Sequence, residues 1–168
     1  FKRNIKNSHQ IARIMPNMPA LIGQGISCIV SNNYFSKINE KKINELFLKV
    51  GKTIWLKNEK QIDMATAISG SGPGYVFTLI DAFEIASQKI GFSKKISREL
   101  VLSTILGSIK LMQKTHKEPD DLANIIAVKG GTTEAGIKVL KKYNPSKIMY
   151  DTFLQAYKKA SKLGKIDD

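Results

Sequence analysis

Apolar residues along this chain follow two regimes. From Ile11 to Leu56 they come mostly in short runs. Ile11-Ala12-Arg13-Ile14-Met15 is stopped by Pro16-Asn17, and Ile26 to Val30 is closed by Ser31-Asn32-Asn33. Runs of this length bounded by turn-forming residues predict strands. Ile43, Leu46, Phe47 and Val50 then recur at helical spacing, with Gly51 as the stop, and Thr53-Ile54-Trp55-Leu56 reads as a third strand. The predicted order is strand, strand, helix, strand.

From about Gln61 onward the helical period takes over. Val76, Phe77, Ile80, Phe83 and Ile90 trace a helix ending at Gly91, and Ser93 suits the cap of the next, whose apolar positions run from Ile96 to Met112. That second segment is the most apolar and is expected to be buried on most sides. Pro119 fits the first turn of a shorter helix to about Ala127, and Thr133 to Leu140 forms another. Ile148, Phe153, Tyr157 and Ala160 mark a last helix stopped by Gly164. A region this helical, with one long central helix, is expected to bury surface against a partner, and a homodimer is the simplest one.

Composition narrows the class. The chain has 168 residues, 42% hydrophobic and 24% charged, which is globular rather than disordered composition. No apolar run approaches the roughly 18 residues needed to cross a bilayer. The opening Phe1-Lys2-Arg3-Asn4-Ile5-Lys6 lacks the hydrophobic core of a signal peptide. A soluble cytoplasmic protein with no membrane partner is therefore expected. Beginning on Phe1 rather than Met suggests a fragment, a processed product or a missing front end. The single cysteine, Cys28, excludes an internal disulfide and a multi-cysteine metal site, and its apolar surroundings predict a buried, inert thiol. The net charge of +13 raises nucleic acid as a partner. The lysines, however, fall in scattered pairs (41–42, 94–95, 141–142 and 158–159) without interleaved aromatic residues, so solvated surface is the preferred reading and no nucleic acid is expected.

Three segments carry possible chemistry. Ser69-Gly70-Ser71-Gly72-Pro73-Gly74-Tyr75 stands before a strongly periodic helix, with Pro73 suited to the first helical position. Such a turn exposes N–H groups either to an anion or to a closely packed helix. Gly130-Gly131-Thr132-Thr133-Glu134 opens another helix and reads equally as a carboxylate clamp or as an ordinary helix start with Glu134 favouring the dipole. Arg13 to Ala20 is a strand running into a double-proline turn.

Taken in order, Arg-x-Met-Pro-Asn-x-Pro-Ala (Arg13 to Ala20), Glu-x-x-x-Asp-x-x-Thr-Ala (Glu59 to Ala67), Ser-Gly-Ser-Gly-Pro (Ser69 to Pro73) and Gly-Gly-Thr-Thr (Gly130 to Thr133) resemble the pyrroline-5-carboxylate reductase family. The resemblance covers nearly the whole chain from Arg13. It implies a mainly α fold: residues 1–58 as the last strands of a Rossmann α/β domain, and residues 59–168 as an all-helical dimerisation and substrate-binding domain. It implies NAD(P)H-dependent reduction of 1-pyrroline-5-carboxylate to L-proline, with NADPH or NADH as cofactor and a homodimer or larger homo-oligomer as assembly. Gly131, Thr132 and Thr133 would hold the substrate carboxylate, Thr66 would stand near the ring nitrogen, and Glu59, Pro16 and Asn17 would touch the cofactor. Thr66 also reads as a helix hydroxyl bonded to its own backbone, and Glu59 as a surface charge.

No metal is implied, and neither His9 nor His116 needs a catalytic role. The glycine-rich dinucleotide fingerprint is absent from the 168 residues, so the chain by itself is expected to bind NAD(P)H poorly. Three positions depart from the family: Val128-Lys129 replaces Ser-Pro, Ile125 stands where an asparagine is common, and Gly74 follows Pro73 in place of alanine. Two alternatives stay open: an inactive helical dimerisation module, and another imine or hydroxyacid reductase of similar architecture.

Overall fold

The computed structural model describes residues 9–166, so the Phe1 to Lys6 stretch read above lies outside the described residues. Three strands, β1 (Ala12–Met15), β2 (Gly25–Ser31) and β3 (Gly51–Trp55), form one sheet in that order. β1 runs antiparallel to β2, and β2 parallel to β3. A 3-10 turn over Met18–Ile22 joins the first pair. The parallel pair needs a crossover, supplied by helix α1 (Lys37–Phe47), whose cap Ser36 accepts a hydrogen bond from the Asn39 N–H. Gly51 does not stop α1 directly. A 3-10 turn over Leu48–Val50 intervenes, and Gly51 opens β3.

Glycine is required there for two reasons. Gly51 sits at φ +143°, and a Cβ would lie 2.0 Å from the carbonyl oxygen of its ladder partner Gly25. β2 is buried almost throughout, as the middle strand should be. Its Cys28 and Val30 pack with Ile62 of helix α2 (Glu59–Ala65), flanked by Met15, Leu56 and Ala65. Cys28 is buried as expected, 3.7 Å from the Ser69 hydroxyl.

Everything after Asn58 is helical: α2, a π-helical turn over Thr66–Gly70, α3 (Gly72–Ile90), α4 (Lys94–Thr115), α5 (Pro119–Ile126), α6 (Thr132–Lys142) and α7 (Pro145–Ile166). The fold is thus mainly α with a small sheet. The chain divides into two compact units, one running to Tyr75 and resuming at Tyr150, the other Val76–Met149. This division does not coincide with the change from strands to helices at Asn58.

In the first unit, α7 is held to α2 by a Ser161 hydroxyl donating to Asp63 Oδ2 at 3.3 Å. Phe153 packs on Tyr75, ring centroids 5.9 Å apart. Two expectations are corrected here. Gly164 does not stop the last helix, which continues to Ile166. A helical glycine costs only about 1 kcal/mol relative to alanine, which a helix held by contacts on its flank tolerates. Nor is the Ser93-capped helix buried on most sides. Ser97 and Val101 are its buried residues, while Ile96, Leu100, Leu102, Leu106, Ile109 and Leu111 are each at least 41% exposed. Among the described residues, the chain offers no cover for that apolar surface. No described helix is long and apolar enough to cross a membrane.

Candidate functional site

Two of the motifs meet through matched periodicities. Arg13, Met15 and Asn17 are alternate residues of extended chain, so they share one face. Glu59, Asp63, Thr66 and Ser69 follow one another at three- and four-residue steps, so they share a helix face. The two faces join residue by residue. Arg13 Nη1 lies 2.7 Å from Glu59 Oε2, and its Nη2 lies 3.8 Å from Asp63 Oδ1. Met15 Sδ contacts the Thr66 hydroxyl at 2.6 Å. Asn17 Nδ2 donates to the Ser69 carbonyl at 3.2 Å, while its Oδ1 accepts from the Ile26 N–H at 2.9 Å. Asn17 therefore ties the start of β2 to the turn before α3.

The Ser-Gly-Ser-Gly-Pro segment differs from the open turn expected. Ser71 N–H donates to Thr66 O, five residues back, closing a π-helical turn. Ser69 Oγ donates to Ala65 O at 2.9 Å, and Gly74 N–H to Ser71 O at 3.0 Å. Two N–H groups that an open turn would expose are thus used internally. α3 begins at Gly72, and Pro73 occupies its second position rather than its first. Thr66 Oγ1 lies 2.8 Å from the Ile62 carbonyl. A hydroxyl has one proton, so donating it there leaves the oxygen's lone pairs as acceptors, beside Met15 Sδ.

The start of α6 is a different kind of place. Its N-cap is Gly131, which brings no side chain to the capping position. Gly130 sits at φ +77°, which favours glycine, and a Cβ on Gly131 would press on Val128 at 3.0 Å. The backbone donors can be accounted for one at a time. Gly130 N–H goes to Glu134 Oε2 at 2.8 Å, Gly131 N–H to Val128 O at 2.9 Å, and Ala135 N–H to Gly131 O at 3.2 Å. Those of Thr132, Thr133 and Glu134 make no hydrogen bond among the described residues, and neither do the two threonine hydroxyls. Glu134 Oε1 pairs with Lys138 Nζ at 3.1 Å. The Gly130 N–H, and then the Lys138 side chain, hold the Glu134 carboxyl below its ordinary value.

Of the residues singled out from the sequence, Pro16, Asn17, Glu59 and Thr66 lie in the first unit. There the strand and helix faces bring Asn17, Glu59 and Thr66 onto one seam, with Pro16 exposed beside it. Gly131, Thr132 and Thr133 lie together at the start of α6 in the second unit. Sequence reasoning missed the reach of Glu134 back to Gly130. The available signal was a Glu three residues past the cap, the position from which side chains return to the helix start.

Comparison with known proteins supplies the family that carries these motifs. The family model for pyrroline-5-carboxylate reductase dimerisation matches residues 59–163. A pyrroline-5-carboxylate reductase of Pseudomonas aeruginosa is 40% identical over 128 residues, covering 76% of this chain and 47% of that protein. One from Aquifex aeolicus is 34% identical over 154 residues, covering 92% and 58%. Among solved structures, the Coxiella burnetii enzyme superposes with a TM-score of 0.91 at 29% identity, covering 96% of this chain and 60% of that one. The Plasmodium falciparum enzyme, with NADP bound, does so at 0.90 and 32% identity, covering 97% and 62%. The chain belongs to the pyrroline-5-carboxylate reductase family. It spans about half to three-fifths of the length of these relatives.

Proposed function

We propose that this chain is the substrate-holding and subunit-pairing part of a pyrroline-5-carboxylate reductase, which reduces 1-pyrroline-5-carboxylate to L-proline with NADPH or NADH. The observation that carries this reading is the start of α6, where three unpaired N–H groups and two unpaired hydroxyls gather at the positive end of a helix. Thr132 and Thr133 would donate to the substrate carboxylate, while Gly131 leaves the room the turn needs. Fixing that carboxylate orients the C=N carbon and removes entropy from the barrier in advance.

In this reading the Thr66 hydroxyl, its proton given to the Ile62 carbonyl, accepts from the N–H of the protonated imine. When bound, the nicotinamide cofactor supplies the hydride to the C=N carbon. Exposed Glu59 would contact the cofactor, exposed Pro16 would edge its nicotinamide pocket, and Asn17, with both ends of its amide committed, would shape the same loop. Residues 1–58 would close a dinucleotide-binding sheet, and residues 59–168 form the substrate and pairing domain. A homodimer or larger homo-oligomer is the expected assembly.

The test is NADPH and NADH consumption with pyrroline-5-carboxylate. It compares the 168-residue chain alone with the chain joined to the dinucleotide-binding portion of the Pseudomonas aeruginosa relative. Turnover is expected from the joined form only, and Thr133→Val should lower its kcat/KM about 100-fold. Absence of turnover in both forms sinks the reductase reading. It leaves a second one, an inactive helical pairing module, which the exposed apolar residues of α3 and α4 favour.

A further inference from the structure

We propose that Glu134 is a positioning residue that sets the shape of the substrate-carboxylate turn before substrate arrives, an inference that rests on the function proposed above. A glutamate in the first turn of a helix ordinarily helps through the helix dipole alone, with its side chain free. Here the side chain reaches back past the N-cap, and Oε2 accepts from the Gly130 N–H at 2.8 Å. That bond adds a side-chain tether to a turn otherwise closed by the Gly131 N–H on Val128 O. Gly130 sits at φ +77° in that turn, and the cap position, Gly131, carries no side chain. Consecutive glycines lose more backbone freedom on ordering than any other pair, so an internal tether shifts that cost from binding to folding.

The tether also decides which donors remain for a ligand. With Gly130 N–H bonded to Glu134 and Gly131 N–H bonded to Val128, the free N–H groups are those of Thr132, Thr133 and Glu134. A second anion beside Glu134 is tolerable because the charge of its carboxylate is already shared. Oε1 faces Lys138 at 3.1 Å while Oε2 faces the amide. Glu134 therefore acts on the substrate through the backbone of Gly130 and Gly131 rather than by touching it.

Two variants separate tether from charge. Glu134→Gln keeps an oxygen acceptor at full reach and removes the charge. Glu134→Asp keeps the charge and is one methylene too short to reach Gly130. The backbone amide signals of Gly130, Thr132 and Thr133 in the 168-residue chain are followed by NMR while 1-pyrroline-5-carboxylate is titrated in, with Thr133→Val alongside. Glu134→Asp should weaken binding roughly tenfold and speed Gly130 amide exchange, whereas Glu134→Gln should bind within about twofold of the parent. The reverse order makes Glu134 a charge effect and overturns the proposal. Unchanged affinity in both variants, with Thr133→Val still weakened, overturns it while leaving the carboxylate site standing. Absence of any shift at Thr132 and Thr133 in the parent takes down the site and the proposal together.

Discussion

The two compact units bury their apolar residues to different extents. The unit built on the sheet buries Cys28, Ile29, Val30, Ile62 and Ala67 within itself. The unit Val76–Met149 is at least as apolar in sequence, yet Val101 is its buried hydrophobic residue among those described. Val76, Phe77, Leu79, Phe83, Ile85, Leu100 and Leu106 stay exposed. Fully burying one such side chain stabilises by about 1.5–3 kcal/mol, so the first unit collects this term at its small core and the second leaves most of it uncollected. An exposed apolar surface of this extent marks a contact surface. The comparison teaches that the same helical periodicity can be covered within its own unit or left exposed. In the reading proposed above, a second copy covers the exposed face.

The largest test of that contrast is Leu106→Asp on α4. If self-association covers this face, sedimentation should show loss of the oligomer, and circular dichroism should show loss of helix with it. A variant that stays helical while failing to associate would break the comparison, because the second unit would then stand alone. Next in size is Ile62→Ala, which empties a fully buried position beside β2. A cost of about 2–5 kcal/mol is expected. The cost should not vary with protein concentration, since this core is internal, whereas the stability of the second unit should rise with concentration.

The smallest effect concerns Glu134 and pH. Its carboxyl is held below the ordinary value by the Gly130 N–H and Lys138, so the unfolded chain takes up this proton at higher pH than the folded one. The contribution is complete above the unfolded-state value and is lost as pH falls through the folded one. The melting temperatures of the parent and Glu134→Gln should therefore draw together on acidification. A gap that widens toward low pH would remove the charge contribution of Glu134 from the account.

Much of this was legible along the chain. Turn-bounded runs located the three strands to within a residue or two, and helical spacing located the helices with the Ser93 cap. The ordered motifs picked out residues that meet along the seam and residues that lie together at the start of α6. What failed to read failed for identifiable reasons. The π-turn depends on Ser71 bonding to Thr66 rather than to the next carbonyl along, a choice between adjacent carbonyls that composition does not encode. Gly164 carries the local signal of a helix end and is overridden on a helix that Ser161 and Phe153 hold to the first unit. The exposure of α4 was misjudged because an apolar stripe reads the same whether its own chain or another molecule covers it.

The sequence by itself determined the local elements, the family and the residue types gathered at each motif, because period, capping and turn chemistry act over a few neighbouring residues. The tertiary structure alone decided which partner each polar group takes. Asn17 bridges Ile26 and Ser69, Arg13 pairs with Glu59, and Asp63 receives Ser161. Those choices follow from bringing distant segments within about 3 Å of one another, a distance at which hydrogen-bond geometry, rather than composition, selects the partner.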